Sequence, residues 1–240
     1  DMMKDMTADR FAQEIEAKFT EFVGRVFKDF DEETHVTDIR YDPSRPVYLA
    51  IDYGYANPFV CLAVQVDAFD NVYVLAEYRR QRRDITEIAE DLKTEHAGLF
   101  AAGKMIYPDP ASPGDTAVLT DKLRIPANSS TGGEPKWRLN LIRHALKLKP
   151  DHGPWEDRKP KLLIDRHCVE LIREMNDYRY PENKKEQANN AKSTEEPESP
   201  LKKDDHGPEA LGRFFRGFFG GPSDKKNNGR AVVRRAKVAA

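Results

Sequence analysis

Apolar residues recur along the chain in two rhythms, and the change from one to the other divides it. Phe11, Ile15, Phe19, Phe22, Val23, Val26 and Phe27 fall at three- and four-residue spacing with charge between them, which predicts an amphipathic helix, and Thr7 and Asp9 supply capping types ahead of it. Gly24 interrupts that rhythm, so the helix is expected to end early and leave residues 26–30 as an irregular apolar clip. After Pro43 and Pro46 the rhythm shortens. Residues 47–53 and 59–67 are short apolar runs and residues 72–78 alternate aromatic and aliphatic side chains; 67–71 reads as the tight turn between the last two. Together they predict an antiparallel meander.

Helical and strand signals then take turns. Residues 84–99 are amphipathic through Ile85, Ile88, Leu92 and Leu99, and 104–107 form a short strand that ends at Pro108, Asp109 and Pro110. A helix is expected over 115–123, a brief strand over 124–126, a helix over 136–148, a strand over 161–164 and a helix over 167–178. A meander followed by alternating helix and strand argues for an α/β fold, a mixed sheet covered by helices. Residues 182–203 are rich in Asn, Lys, Glu, Ser and Pro and read as a long polar loop. Beyond it, Leu211, Phe214, Phe215 and Phe218 give 204–219 helical spacing before Gly220, Gly221 and Pro222 break the chain. No internal repeat is present.

Composition narrows the class. At 240 residues the chain suits one core, which can grow to roughly 250 residues before chains divide. Its 39% hydrophobic and 33% charged content, with a mean hydropathy of -0.75, lies on the polar side for a globular protein, so part of the length is expected to be solvated. Cys61 and Cys168 lack the spacing of a zinc knuckle or a disulfide framework, which fits a reduced compartment. No apolar run reaches the roughly 18 residues of a membrane span, and the N-terminus lacks the order of a signal peptide. A start on Asp1 is read as a fragment cut from a longer parent. The net charge of -2 excludes a uniformly basic DNA-coating protein, but Arg213, Arg216, Lys225, Lys226, Arg230, Arg234, Arg235 and Lys237 face only Asp224 after position 212. The end of the chain is therefore a basic tail.

Three acidic motifs far apart in sequence carry the candidate chemistry. Asp52 closes an apolar run and is followed by Gly54, Asn57 and Pro58; a carboxylate there must face water, a cation or a hydrogen-bonding partner. Asp109 repeats the pattern after Tyr107, between two prolines. Asp204 and Asp205 open the last helix beside His206. Each has a plain alternative, a turn cap for Asp52 and helix capping for Asp109, Asp204 and Asp205. Taken together they would offer the hard oxygen ligands that magnesium prefers, and two such ions about 3.5 to 4 Å apart suit in-line phosphodiester cleavage. Other combinations fare worse. Ser129, Ser130, Thr131, Gly132, Gly133 and Lys136 lack the ending of a nucleotide-binding P-loop, so no ATP site is expected. Cys168 and His167 are adjacent on a helix and point apart, and Asp165 reads as a strand-to-helix turn.

The order of these motifs resembles the C-terminal nuclease domain of the large terminase subunit of tailed bacteriophages, the motor that cuts and packages viral DNA. The resemblance rests on Ile51, Asp52, Gly54, Asn57 and Pro58, on Tyr107 to Pro110, and on Asp205, His206, Gly207, Pro208, Glu209, Ala210 and Leu211. Residues 162–178, with Cys168, Leu171, Glu174 and Tyr178, are similar to the strand and helix before the last motif, and residues 11–36 to the segment that joins the packaging ATPase to the nuclease. It implies a ribonuclease H-like mixed sheet flanked by helices on both faces. It divides the chain into a linker or helical arm over 1–42 from a missing ATPase domain, a nuclease domain over 43–220 and a flexible basic tail over 221–240. It implies a two-metal endonuclease, using Mg2+ or Mn2+, with Asp52, Asp109 and Asp205 as catalytic ligands and Asp204 on the second ion or orienting a ligand. The family usually has Asp at the place of Glu209 and an aromatic residue soon after Leu211, where this chain has Gly212 and Arg213. Implied partners are double-stranded DNA, the ATPase domain, the portal protein and the small terminase subunit, in the cytoplasm of an infected bacterium and away from any membrane. Lys184, Lys185, Lys202, Lys203 and the terminal arginines are candidate phosphate contacts. A resolvase or transposase of the same fold, and a DNA-binding or portal-docking module without activity, remain alternatives.

Overall fold

Strand order follows from which runs are buried on both faces. In the computed structural model, which describes residues 24–148, 159–181 and 199–220, strands β2 (Val47–Asp52), β3 (Phe59–Val66) and β4 (Val72–Arg80) form the expected antiparallel meander. β3 is buried along nearly its whole length because it lies inside a six-stranded sheet of order β1-β6-β4-β3-β2-β5. The outer members are β1 (Val36–Thr37), β5 (Gly103–Tyr107) and β6 (Leu162–Asp165). Every neighbouring pair is parallel except the two that β3 makes. The C-terminal ends of the other five strands therefore share one edge of the sheet, the edge where open α/β sheets place their ligands.

Helices cover both faces. On one side α2 (Ile85–Thr94) and α3 (Pro113–Leu123) bury Ile88, Leu92 and Leu119 against Leu49, Ile51, Phe59 and Tyr78. On the other, α4 (Pro135–Leu146), α5 (Val169–Asp177) and α6 (His206–Phe219) pack Ile142, Leu171, Leu211 and Phe214 against Ala50, Leu62, Val74 and Ile164. The fold is a mixed sheet flanked by helices, as the alternation of signals predicts. α2 begins at a complete capping box, with Asp84 accepting from the Thr86 and Glu87 N–H groups and Glu87 reaching back to the Asp84 N–H. α5 is capped from outside: Glu77 on β4 accepts the Glu170 and Leu171 N–H groups, both at 2.8 Å.

Three expectations change. The first concerns the arm over 1–42, of which residues 1–23 and most of the predicted helix lie outside the described residues. Its remainder belongs to the domain: Val26, Phe27 and Phe30 are buried in the core, the short helix α1 (Glu32–His35) precedes β1, and His35 Nε2 meets the Leu146 carbonyl at 2.8 Å. The second is the strand over 124–126. Arg124 takes a left-handed conformation at φ 59°, and residues 126–128 instead follow β5 through hydrogen bonds of Ile106 with Pro126 and Asn128. The third is the helix over 84–99, which ends at Thr94 and continues as a 3-10 turn, Glu95–Gly98. Residues 182–198 of the polar loop and the tail over 221–240 lie outside the described residues. Among the described residues no helix is long and apolar enough to cross a membrane.

Candidate active site

The three acidic motifs meet at the C-terminal edge of the sheet. Asp52 ends β2, beside a loop whose turn leaves no room for a side chain at Gly54: a methyl group there would lie 2.5 Å from the Asn57 carbonyl oxygen and 2.6 Å from that of Pro58. Asp109 follows β5, the parallel neighbour of β2, and its turn is held by the buried Thr131 hydroxyl, which donates to the Pro108 carbonyl. Asp205 precedes the first turn of α6. That helix lies tightly on β2 and β5, where Tyr48, Tyr107, Phe214 and Phe218 form an aromatic cluster with ring centroids 5.0 to 6.4 Å apart. Gly217 permits the approach, since a methyl group there would overlap the Tyr107 ring.

Asp205 stands at the capping position without capping. No N–H of the helix donates to its side chain. The Gly207 N–H goes instead to Glu174 Oε2 at 2.6 Å, and Glu174, 1% exposed, also pairs with Arg79 at 2.7 Å. Arg79 lies level with Asp52 across β3. A methyl group at Gly207 would press on both Leu171 and Glu174. The clamp from β4 through α5 to α6 thus satisfies the helix end and leaves the Asp205 carboxylate free for the site.

The electrostatics show that these groups share one neighbourhood. Burial pushes Asp52 above the usual carboxylate range; the hydrogen bond and charge of His206 oppose that, while the charges of Glu209 and Asp109 add to it. Asp205 is raised likewise, by burial first, with Glu209 and Asp52 adding and His206 opposing. His206 is raised chiefly by its hydrogen bond to Asp52, Nδ1 to Oδ2 at 3.0 Å. Arg213 donates to Asp109 Oδ2 at 2.8 Å, and Glu209 is held by Arg138 with Arg213 at 3.7 Å. Asp204, expected with the others, is turned elsewhere. Its backbone is left-handed at φ 53° and its carboxylate pairs with Arg173 at 2.8 Å. Asp165 serves the turn after β6, accepting from Ile39 and His167, and Cys61 and Cys168 are buried.

The fold has counterparts among solved structures. A large terminase from a thermophilic bacteriophage superposes with a TM-score of 0.62 at 18% identity, over 88% of this chain and 54% of that one. The P22 large terminase nuclease domain gives 0.59 at 16% identity, over 81% of this chain and 92% of that one. The large terminase nuclease of another thermophilic phage, G20c, with bound cobalt gives 0.51 at 11%, over 80% and 97%. The fold is that of a large-terminase nuclease domain. The chain spans about half the length of the first of these large terminases. No protein-family model and no curated protein sequence matches it.

On the terminase nuclease fold, the donor set suits a hard divalent cation. Asp52, Asp109, Asp205 and Glu209 supply only oxygen, and burial makes the excess negative charge costly without a cation. Among the described residues, no three His, Cys, Asp or Glu side chains are drawn close enough to hold an ion as they stand. Two side chains, His206 on Asp52 and Arg213 on Asp109, hold the two strand-end carboxylates. Sequence reasoning singled out the acids and noted His206, but it missed Arg138, Arg79 and the clamping part of Glu174. No local signal marks those contacts, because their partners lie far away along the chain.

Proposed function

We propose that the chain is a divalent-metal-dependent endonuclease that cuts double-stranded DNA during phage genome packaging. The observation that carries this reading is the convergence of Asp52, Asp109 and Asp205 on one sheet edge, with Asp52 and Asp205 buried enough to be raised and Asp205 free of the helix-capping role that would explain an acid there. Asp52, Asp109 and Asp205 would hold Mg2+ or Mn2+, with two ions as the arrangement best suited to the reaction. When bound, such ions activate the attacking water and stabilise the leaving oxygen. The protein's own part is positioning. His206 orients the Asp52 carboxylate through Nδ1, Arg138 fixes Glu209, and Glu174 holds the start of α6 so that Asp205 faces the strand ends. Asp204, paired with Arg173, sits outside this set and would join only by exchanging partners.

DNA would be held by phosphate contacts from basic residues, with affinity falling steeply with salt. Lys202 and Lys203 are exposed next to α6, while Lys184, Lys185 and the terminal basic residues lie outside the described residues. The packaging ATPase domain, portal protein and small terminase subunit, and a host-cytoplasm location, belong to the same reading through the terminase resemblance. Nicking of supercoiled plasmid by the chain with Mg2+, with Mn2+ and with chelator tests it. Cutting is expected with metal alone and should fall by at least about a hundredfold in Asp52→Asn and Asp109→Ala. Equal conversion by the parent and both variants would rule the reading out and return the acids to a structural role.

A further inference from the structure

The two strand-end carboxylates are not equally open. Asp52 engages one oxygen, Oδ2, with His206. Asp109 engages both: Oδ1 accepts the Ala111 N–H at 2.9 Å and Oδ2 the Arg213 guanidinium at 2.8 Å. Arg213 reaches the site from the second turn of α6, its side chain only 10% exposed. Its Nε is buried without a hydrogen-bond partner among the described residues. Glu209 does not need Arg213, because Arg138 holds it already and Arg213 stands off at 3.7 Å. A buried guanidinium with donors to spare is thus committed to one acceptor, Asp109.

We propose that Arg213 is a built-in competitor of the divalent cation at Asp109, so that residue 213 sets the metal affinity of the site. The inference rests on the metal-dependent reading above. A guanidinium stays charged at any pH the protein meets, so it cannot give up the carboxylate by losing a proton. It has to move or share when an ion arrives, and the ion then meets a positive charge held in a poorly solvated place. In return the metal-free site is relieved of part of the repulsion among Asp52, Asp109, Asp205 and Glu209. The site gains a fold that does not wait for metal at the cost of weaker metal binding.

The test is calorimetric titration of Mn2+ into metal-free parent protein, Arg213→Gln and Arg213→Lys, with thermal unfolding of each in chelator and in Mn2+. Arg213→Gln is expected to bind Mn2+ about tenfold more tightly than the parent, the scale of a lost charge-assisted hydrogen bond. It should melt lower in chelator and gain more from Mn2+. Arg213→Lys keeps the charge with a weaker grip on the carboxylate, so its affinity should lie between the two, and it carries the test if the Gln variant does not fold. Affinity in the folded variants equal to or below that of the parent overturns the proposal while leaving the metal site standing. Absence of Mn2+ binding by the parent and every variant overturns both.

Discussion

At the scale of single residues, the clamp at Glu174 takes over the helix end and frees Asp205 from capping it. Glu174→Leu removes the acceptor of the Gly207 N–H and the carboxylate that pairs with Arg79, a loss of about 3 to 5 kcal/mol for breaking a buried ion pair. Glu174→Gln keeps an amide oxygen for Gly207, so it should cost distinctly less. Urea unfolding of the two variants measures the difference, and equal losses would mean that the Gly207 contact contributes nothing. Asp52 and Asp109 were legible because each ends an apolar run beside Gly or Pro, a pattern that a single element contains. Their side-chain partners were not: His206 and Asp52 are separated by 154 residues, Arg213 and Asp109 by 104. Asp204 and Asp205 are neighbours of identical chemistry. What separates them is the left-handed backbone at Asp204, which sends its side chain to Arg173 and which the sequence does not mark with a glycine.

At the scale of elements, period and turn chemistry carried most of the information. The turn between β3 and β4 is built on Asp67, whose carboxylate accepts from the Phe69 and Asn71 N–H groups, the Asn71 amide and the Tyr73 hydroxyl. Burial disfavours its charge, but those hydrogen bonds outweigh the burial and hold the carboxyl below the usual range. A lowered folded pKa contributes stability that is complete above the unfolded value of about 3.9 and is lost as pH falls through the folded value. Asp67→Asn should therefore cost about 1 to 2 kcal/mol at neutral pH, with the gap between variant and parent closing below about pH 4. Chemical unfolding across pH 3 to 7 checks this, and a gap that persists unchanged in acid would assign the effect to something other than the charge. The brief strand expected over 124–126 failed for a related reason. Residues 126–128 do add hydrogen bonds along β5, but Arg124 is left-handed and its neighbours bond at only two points, too few for a strand. Periodicity cannot resolve so short a segment.

At the scale of the whole molecule, α6 joins the folding of the core to the candidate site. All strands but β3 run the same way, so the ends of β2 and β5 bring Asp52 and Asp109 to one edge, while Asp205 arrives on α6 from about 100 residues further along. That helix is not an accessory. Ala210, Leu211, Phe214 and Phe215 are at most 4% exposed, packed on the face that Tyr48, Tyr107 and Leu171 present. Burying Leu211, Phe214 and Phe215 contributes roughly 5 to 9 kcal/mol, comparable with the roughly 5 to 15 kcal/mol that holds an ordinary domain together. A chain stopped at residue 199 should therefore lose cooperative unfolding and expose an apolar face that binds a hydrophobic dye and drives association. Circular dichroism, dye binding and size-exclusion chromatography read those outcomes, and a truncated chain that melts cooperatively at the parent's temperature would show that the core is complete without α6. If the helix is required, the third carboxylate comes with the element whose packing completes the core, so the acidic cluster cannot assemble partway. The sheet could not present Asp52 and Asp109 in a stable fold without Asp205 beside them.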